Sequence, residues 1–206
     1  MLSNSFNQII LKKLNKMKKL TVKQQANRIQ KILNLATKTE IENGKNWYLD
    51  AYNFALEISI DYGLTVSQVS QLISLLSPQK KWEQNKSDVV NFLNNDTGSI
   101  FSTKKTLSEC VAVVDQGFTI PQNRMKTFAF AKCIEEAKDN TTDPVVIDRH
   151  AIKIAYGQMN AKPIIITDLR YKESELAYRM VAKENKLRAH EVQAITWVAY
   201  KRIVNR

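Results

Sequence analysis

Ile120-Pro121-Gln122-Asn123-Arg124-Met125-Lys126-Thr127 and, further on, Val145-Val146-Ile147-Asp148-Arg149-His150 are the stretches whose reading decides the fold. Behind the first, Phe128, Phe130, Ala131 and Ile134 recur at helical spacing. Behind the second, Ala151, Ile152, Ile154 and Ala155 do the same. Proline is compatible with the start of a helix but not with its interior. Asp148 is of the type that accepts hydrogen bonds from the free N–H groups of a helix start. The two stretches therefore read as the beginnings of helices near 122–138 and 149–157. They also place an amine, Lys126, and a carboxylate, Asp148, 22 positions apart.

Working outward, the periodicity stays helical. Phe6, Ile9, Ile10, Leu14 and Met17 form an apolar stripe opposite lysines. Thr21 can cap a helix with Val22, Ala26, Ile29, Leu33 and Ala36 facing inward. An aromatic-rich helix is expected from Asn46 to Tyr62, stopped by Gly63, and one from Thr65 to Leu76, stopped by Pro78. Further helices are expected near 82–94, 103–115, 168–184 and 188–204. The only strand-like run, Pro163 to Thr167, is too short and solitary to make a sheet. Five Gly and four Pro leave little room for turn-dense β structure, so the expected class is all-α.

A chain of 206 residues can bury a core as one compact domain or two small lobes. Its 44% hydrophobic and 25% charged content are those of an ordinary soluble globular protein. The apolar runs are too short to span a bilayer. Cys110 and Cys133 alone imply neither a disulfide scaffold nor a metal cluster. His150 and His190 lack zinc-site spacing, so no metal and no cofactor is expected. The net charge of +11 is uneven: residues 1–39 hold nine basic and no acidic residues. The remainder holds 22 basic against 20 acidic, so the basicity belongs to one N-terminal arm. That arm can grip phosphates, lie on an anionic membrane or act as a presequence; a DNA- or partner-binding helix is the preferred reading.

A third segment, Leu75-Leu76-Ser77-Pro78-Gln79 followed by Asn85-Lys86, completes a pattern. The three segments in this order resemble the helix–hairpin–helix DNA glycosylases of the endonuclease III type, which carry LLS-x-Q, then LPGVGRKTA, then VDTH. Ile120-Pro121 falls on the family's Leu-Pro, Lys126-Thr127 on its Lys-Thr, and Asp148 and His150 on its Asp and His. Gln122 and Arg124 stand where the family has glycine, so the hairpin must have another shape. The family's iron–sulfur loop is absent. Ser77-Pro78 through Trp82 and Asn85 is also similar to an SP-x-x-x-W-x-x-N segment of phage-encoded proteins.

The resemblance implies a two-lobed helical fold with a degenerate hairpin at 120–127. A central lobe would span 65–147, a discontinuous lobe 41–64 and 148–206, and a basic extension 1–40. It implies a DNA glycosylase, with AP-lyase activity in addition, acting on a modified or damaged base of double-stranded DNA. The implied setting is a monomer in the cytoplasm of a bacterial or phage-infected cell; organellar targeting is the alternative. Lys126 would attack the sugar and Asp148 would stabilise the cation that develops there. Gln79, Lys80, Lys81, Asn85, Gln122, Asn123, Arg124, Thr127 and His150 would contact DNA. The rivals are a nucleic-acid-binding protein without chemistry and a phage base-modification enzyme.

Each of these residues has a plainer reading. Lys126 can be a solvated lysine, whereas a catalytic lysine must be partly neutral, which desolvation and a neighbouring Arg124 would favour. Asp148 can be a helix cap alone, and a capped carboxylate is also held ionised, as an electrostatic stabiliser should be. Gln79 reads as an exposed turn residue, Trp47, Trp82 and Trp197 as core anchors, and His150 as a structural hydrogen-bonding histidine.

Overall fold

The structure is a computed structural model that describes residues 20–139, 141–158 and 164–204. The chain is all-α: among the described residues there are nine α-helices and no strand. In chain order they are α1 Val22–Asn34, α2 Lys38–Tyr62, α3 Val66–Leu76, α4 Trp82–Leu93, α5 Lys104–Gln116, α6 Met125–Glu135, α7 Arg149–Tyr156, α8 Asp168–Asn185 and α9 Ala189–Val204. A single 3-10 turn, Thr97–Ser99, lies between α4 and α5. Residues Ile164–Thr167 are irregular, and the expected amphipathic segment before Met17 lies outside the described residues.

Helix starts follow from local chemistry. Thr21, Thr37, Thr65, Thr103 and Thr167 each accept a backbone N–H of the first turn. At Thr37, Glu40 reaches back to the cap N–H, and this capping box starts α2 at Lys38 rather than at Asn46 as expected. Gly44 inside α2 does not break the helix. A Cβ there would lie 2.5 Å from the Ile195 Cα, so the glycine is where α2 and α9 touch backbone to backbone. The helix expected from 122 begins only at Met125, because Pro121–Arg124 forms a turn closed by the Arg124 N–H on the Pro121 carbonyl at 3.0 Å. No residue of that turn has positive φ, so it is built without glycine.

Two clusters of buried side chains organise the molecule. One joins α1, α7, α8 and α9 around Ile29, Ile152, Tyr178 and Ile195. The other joins α2 through α6 around Leu72, Ile73, Val89 and Ile134. Helix α1 is thus part of a core; Gln25 on its buried face accepts the Ser174 hydroxyl at 2.7 Å. Helix α2 packs its Tyr48, Ala51, Ala55 and Ile58 into the second cluster while its length lies along α9. Between the clusters runs an extended segment whose side chains alternate: Val145 and Ile147 enter the first core, Val146 the second. That alternation is the period of extended backbone. It delivers Asp148 to the seam.

Candidate active site

Lys126 sits in the first turn of α6, and that turn is held in place from α3. The Gln71 carboxamide accepts the Ile120 N–H at 2.8 Å, and the Ser74 hydroxyl donates to the Thr127 carbonyl at 2.6 Å. Asp148 arrives from the extended segment and caps α7: Oδ1 accepts the N–H groups of His150 at 2.9 Å and Ala151 at 2.8 Å. Its Oδ2 faces His150 Nδ1 at 3.1 Å. Burial pushes the carboxyl up, but the His150 ring, the Ala151 N–H and the charges of His150 and Lys126 outweigh it and hold it below its ordinary range. Asp148 is therefore ionised at neutral pH.

Both residues line one cavity of about 180 Å³. Trp47 and Tyr48 of α2, Phe130 of α6 and Trp197 of α9 supply its aromatic walls. Ser77, Val146, Gln193 and Ala194 complete it, with Lys80 below. Trp47 is backed by Trp82 and Phe130, with ring centroids at 5.4 and 6.0 Å. One face of Trp197 is covered by the Lys201 ammonium, 3.4 Å from the ring centroid. Tyr48 is buried and donates to Gln193 Oε1 at 3.1 Å. His190 packs edge-on against Tyr48, and burial pulls its pKa down to about 4, so it is neutral.

Several expected DNA contacts take other roles. Lys80 is not a surface cation: its side chain is 6% exposed and ion-paired with Asp88, itself fully buried. A desolvated pair of this kind cannot release its ammonium to a phosphate without leaving a buried carboxylate with no counter-charge, held among the described residues only by the Gln84 carboxamide at 2.7 Å. Asn85 is likewise buried, its Nδ2 donating to the Ile73 carbonyl at 3.1 Å. Arg124 is engaged with Glu109 at 2.7 Å. Lys126 itself is exposed, so the desolvated setting expected of a nucleophilic lysine is not present in the free chain. Lys81, Gln122 and Asn123 are exposed, Thr127 and His150 half-buried. Gln79 is exposed and left-handed, φ 64°, beside the solvent-facing Phe101.

Trp47 and Trp197, expected as core anchors, are half-buried cavity walls. Tyr48, Phe130 and Gln193 line the cavity without any motif that singles them out in the sequence. Gln193 falls four positions before Trp197, one helical turn, which is the one signal that could have placed it on the same face. Among the described residues no group of His, Cys, Asp and Glu is placed to hold a metal ion, and no helix is long and apolar enough to cross a membrane.

The class that fold and site define is an all-α protein with an amine and an ionised carboxylate on one aromatic-walled cavity. The chain belongs to DUF7178, a family of unknown function, whose model matches residues 11–204. No curated protein and no solved structure matches it.

Proposed function

We propose that the protein is a DNA glycosylase with AP-lyase activity, acting on a base flipped out of double-stranded DNA. The observation that carries this reading is that Lys126 and Asp148, 22 residues apart in the chain, line the same cavity between aromatic walls. A flipped base stacks on such walls, and extrusion costs a few kcal/mol, least for a weakly paired base. Bound DNA would close the cavity mouth and take Lys126 out of water. The Lys126 amine then attacks C1′ as the bond from C1′ to the base breaks. The base leaves with the bonding pair and takes up a proton. Asp148, ionised and rigidly capped, stabilises the positive charge on the sugar. Loss of the amine proton with opening of the C1′–O4′ bond gives a Schiff base. Removal of a C2′ proton then expels the 3′ phosphate, and water releases the lysine.

Gln79 and Phe101, both exposed and lining one surface pocket, fit insertion into the space that a flipped nucleotide vacates. The exposure of Lys126 favours a second reading, duplex binding without chemistry. One experiment separates the two. Borohydride should trap a protein–DNA adduct on a duplex with an abasic site, and Lys126→Ala should abolish it while leaving the helical circular dichroism unchanged. Equal trapping by Lys126→Ala removes Lys126 from the mechanism; no trapping by the parent chain leaves the binding reading.

A further inference from the structure

A carboxamide has a donor end and an acceptor end, and the structure commits one end of Gln193. Its Oε1 accepts the hydroxyl of Tyr48, a buried donor, at 3.1 Å. Its Nε2 has no acceptor among the described residues, yet it is not sealed from solvent as the unpartnered nitrogens of Gln25 and His190 are. The opening it meets is the cavity, which Gln193 lines beside Ala194 and Trp197. An amide donor left unpaired in a site that a ligand dries forfeits its hydration and gains nothing in return. A ligand that fits must therefore bring an acceptor to this point.

Size and depth say which acceptor. A cavity of ~150 Å³ accommodates benzene, so about 180 Å³ has room for a single six-membered ring with its substituents. Lys126 stands exposed at the mouth, whereas Gln193 and its Tyr48 partner are 7% and 3% exposed. If the sugar C1′ lies at Lys126, the ring enters with its glycosidic N1 outward. The ring position opposite N1 is C4, and this end points to the floor.

We infer that Gln193 is the specificity residue of the cavity, donating from Nε2 to the 4-oxo group of a single-ring pyrimidine and rejecting a 4-amino group, which would set donor against donor. The inference rests on the glycosylase reading, which supplies the direction of ring entry.

The test uses the full chain and the fluorescence of its three tryptophans, two of which line the cavity. The probes are 1-methyluracil and 1-methylcytosine, whose methyl group stands where the sugar would be. 1-Methyluracil should quench and bind at least about tenfold more tightly, the equivalent of one hydrogen bond made or forfeited. Gln193→Glu keeps the acceptor for Tyr48 but presents a carboxylate to the ring, so the preference should fall to parity or reverse. Tyr48→Phe frees the carboxamide to turn and should lower the preference while leaving Gln193 in place, an independent check should either variant fold poorly. Equal affinities in the parent chain, or a preference that survives both substitutions, overturn the inference. So does the absence of binding by either probe. Trapping on an abasic duplex involves no base, so it judges the lyase reading separately from all of these outcomes.

Discussion

Each oxygen of Asp148 has a partner before any ligand arrives, two backbone N–H groups on Oδ1 and the His150 ring on Oδ2. Capping and charge can therefore be separated by one substitution. Asp148→Asn keeps an acceptor for the helix start, so unfolding free energy should fall by about 1 kcal/mol or less. The charge is removed, and if the proposed glycosylase reading holds, single-turnover base release should drop by at least ~10². Equal small decreases in denaturant melts and in rate would leave Asp148 as a cap only. His190 makes the complementary case. Its folded value of about 4 lies below the ordinary 6.5, so the unfolded chain takes up its proton first. The stability this contributes is full above pH 6.5 and is lost as pH falls towards 4. Urea unfolding at pH 5 should show stability about 2 kcal/mol lower than at pH 7 from this group. His190→Gln should remove that part of the pH slope, and an unchanged slope would show that another group carries it.

Helices α2 and α9 meet where Gly44 lies against the backbone of Ile195, with no room for a methyl group. Gly44→Ala gains helix propensity on α2 but forces the two helices apart. The overpacking should dominate, lowering stability by roughly 1–3 kcal/mol. A melting temperature at or above that of the parent would show that the helices separate freely. The helices themselves are legible in the sequence because their starts are written locally: Thr21 and Thr65 read as caps and act as caps. The start of α2 is written locally too, as Thr37 with Glu40 three positions on, but it lies well before the aromatic stretch at which the helix is expected to begin. Side-chain pairing across the fold is not legible. A lysine reads as a surface residue unless its partner is known, and nothing in Lys80 announces that Asp88 will meet it in the interior. Asp148 and Lys126 are readable from short flanking motifs. Gln193 and the tryptophan walls come from α2 and α9, which lie far apart in the chain, and only packing joins them.

At the scale of the molecule, charge and core are divided differently along the chain. Residues 1–39 carry nine basic side chains and no acid, yet Leu20 and α1 already belong to a core. A truncation meant to test the arm should therefore end at residue 19. It removes Lys12, Lys13, Lys16, Lys18 and Lys19 and leaves Leu20, 6% exposed, in place. If those lysines meet phosphates, the slope of log affinity for duplex DNA against log salt should flatten by about 0.9 for each phosphate no longer neutralised. An unchanged slope would assign the arm to another partner, with anionic vesicles the next surface to measure.

The meeting of Gly44 with Ile195 has a consequence for the cavity as well. Trp47 follows Gly44 by three residues on α2, and Trp197 follows Ile195 by two on α9. Two rods packed along each other, with a backbone-to-backbone contact just behind their respective walls, work as a caliper. The bite of its jaws is set at the pivot, out of reach of any ligand. On the proposed reading, ring size would then be gauged by a glycine outside the cavity lining, and a chain with a bulkier residue at that pivot should open to a wider heterocycle without any change in the lining itself.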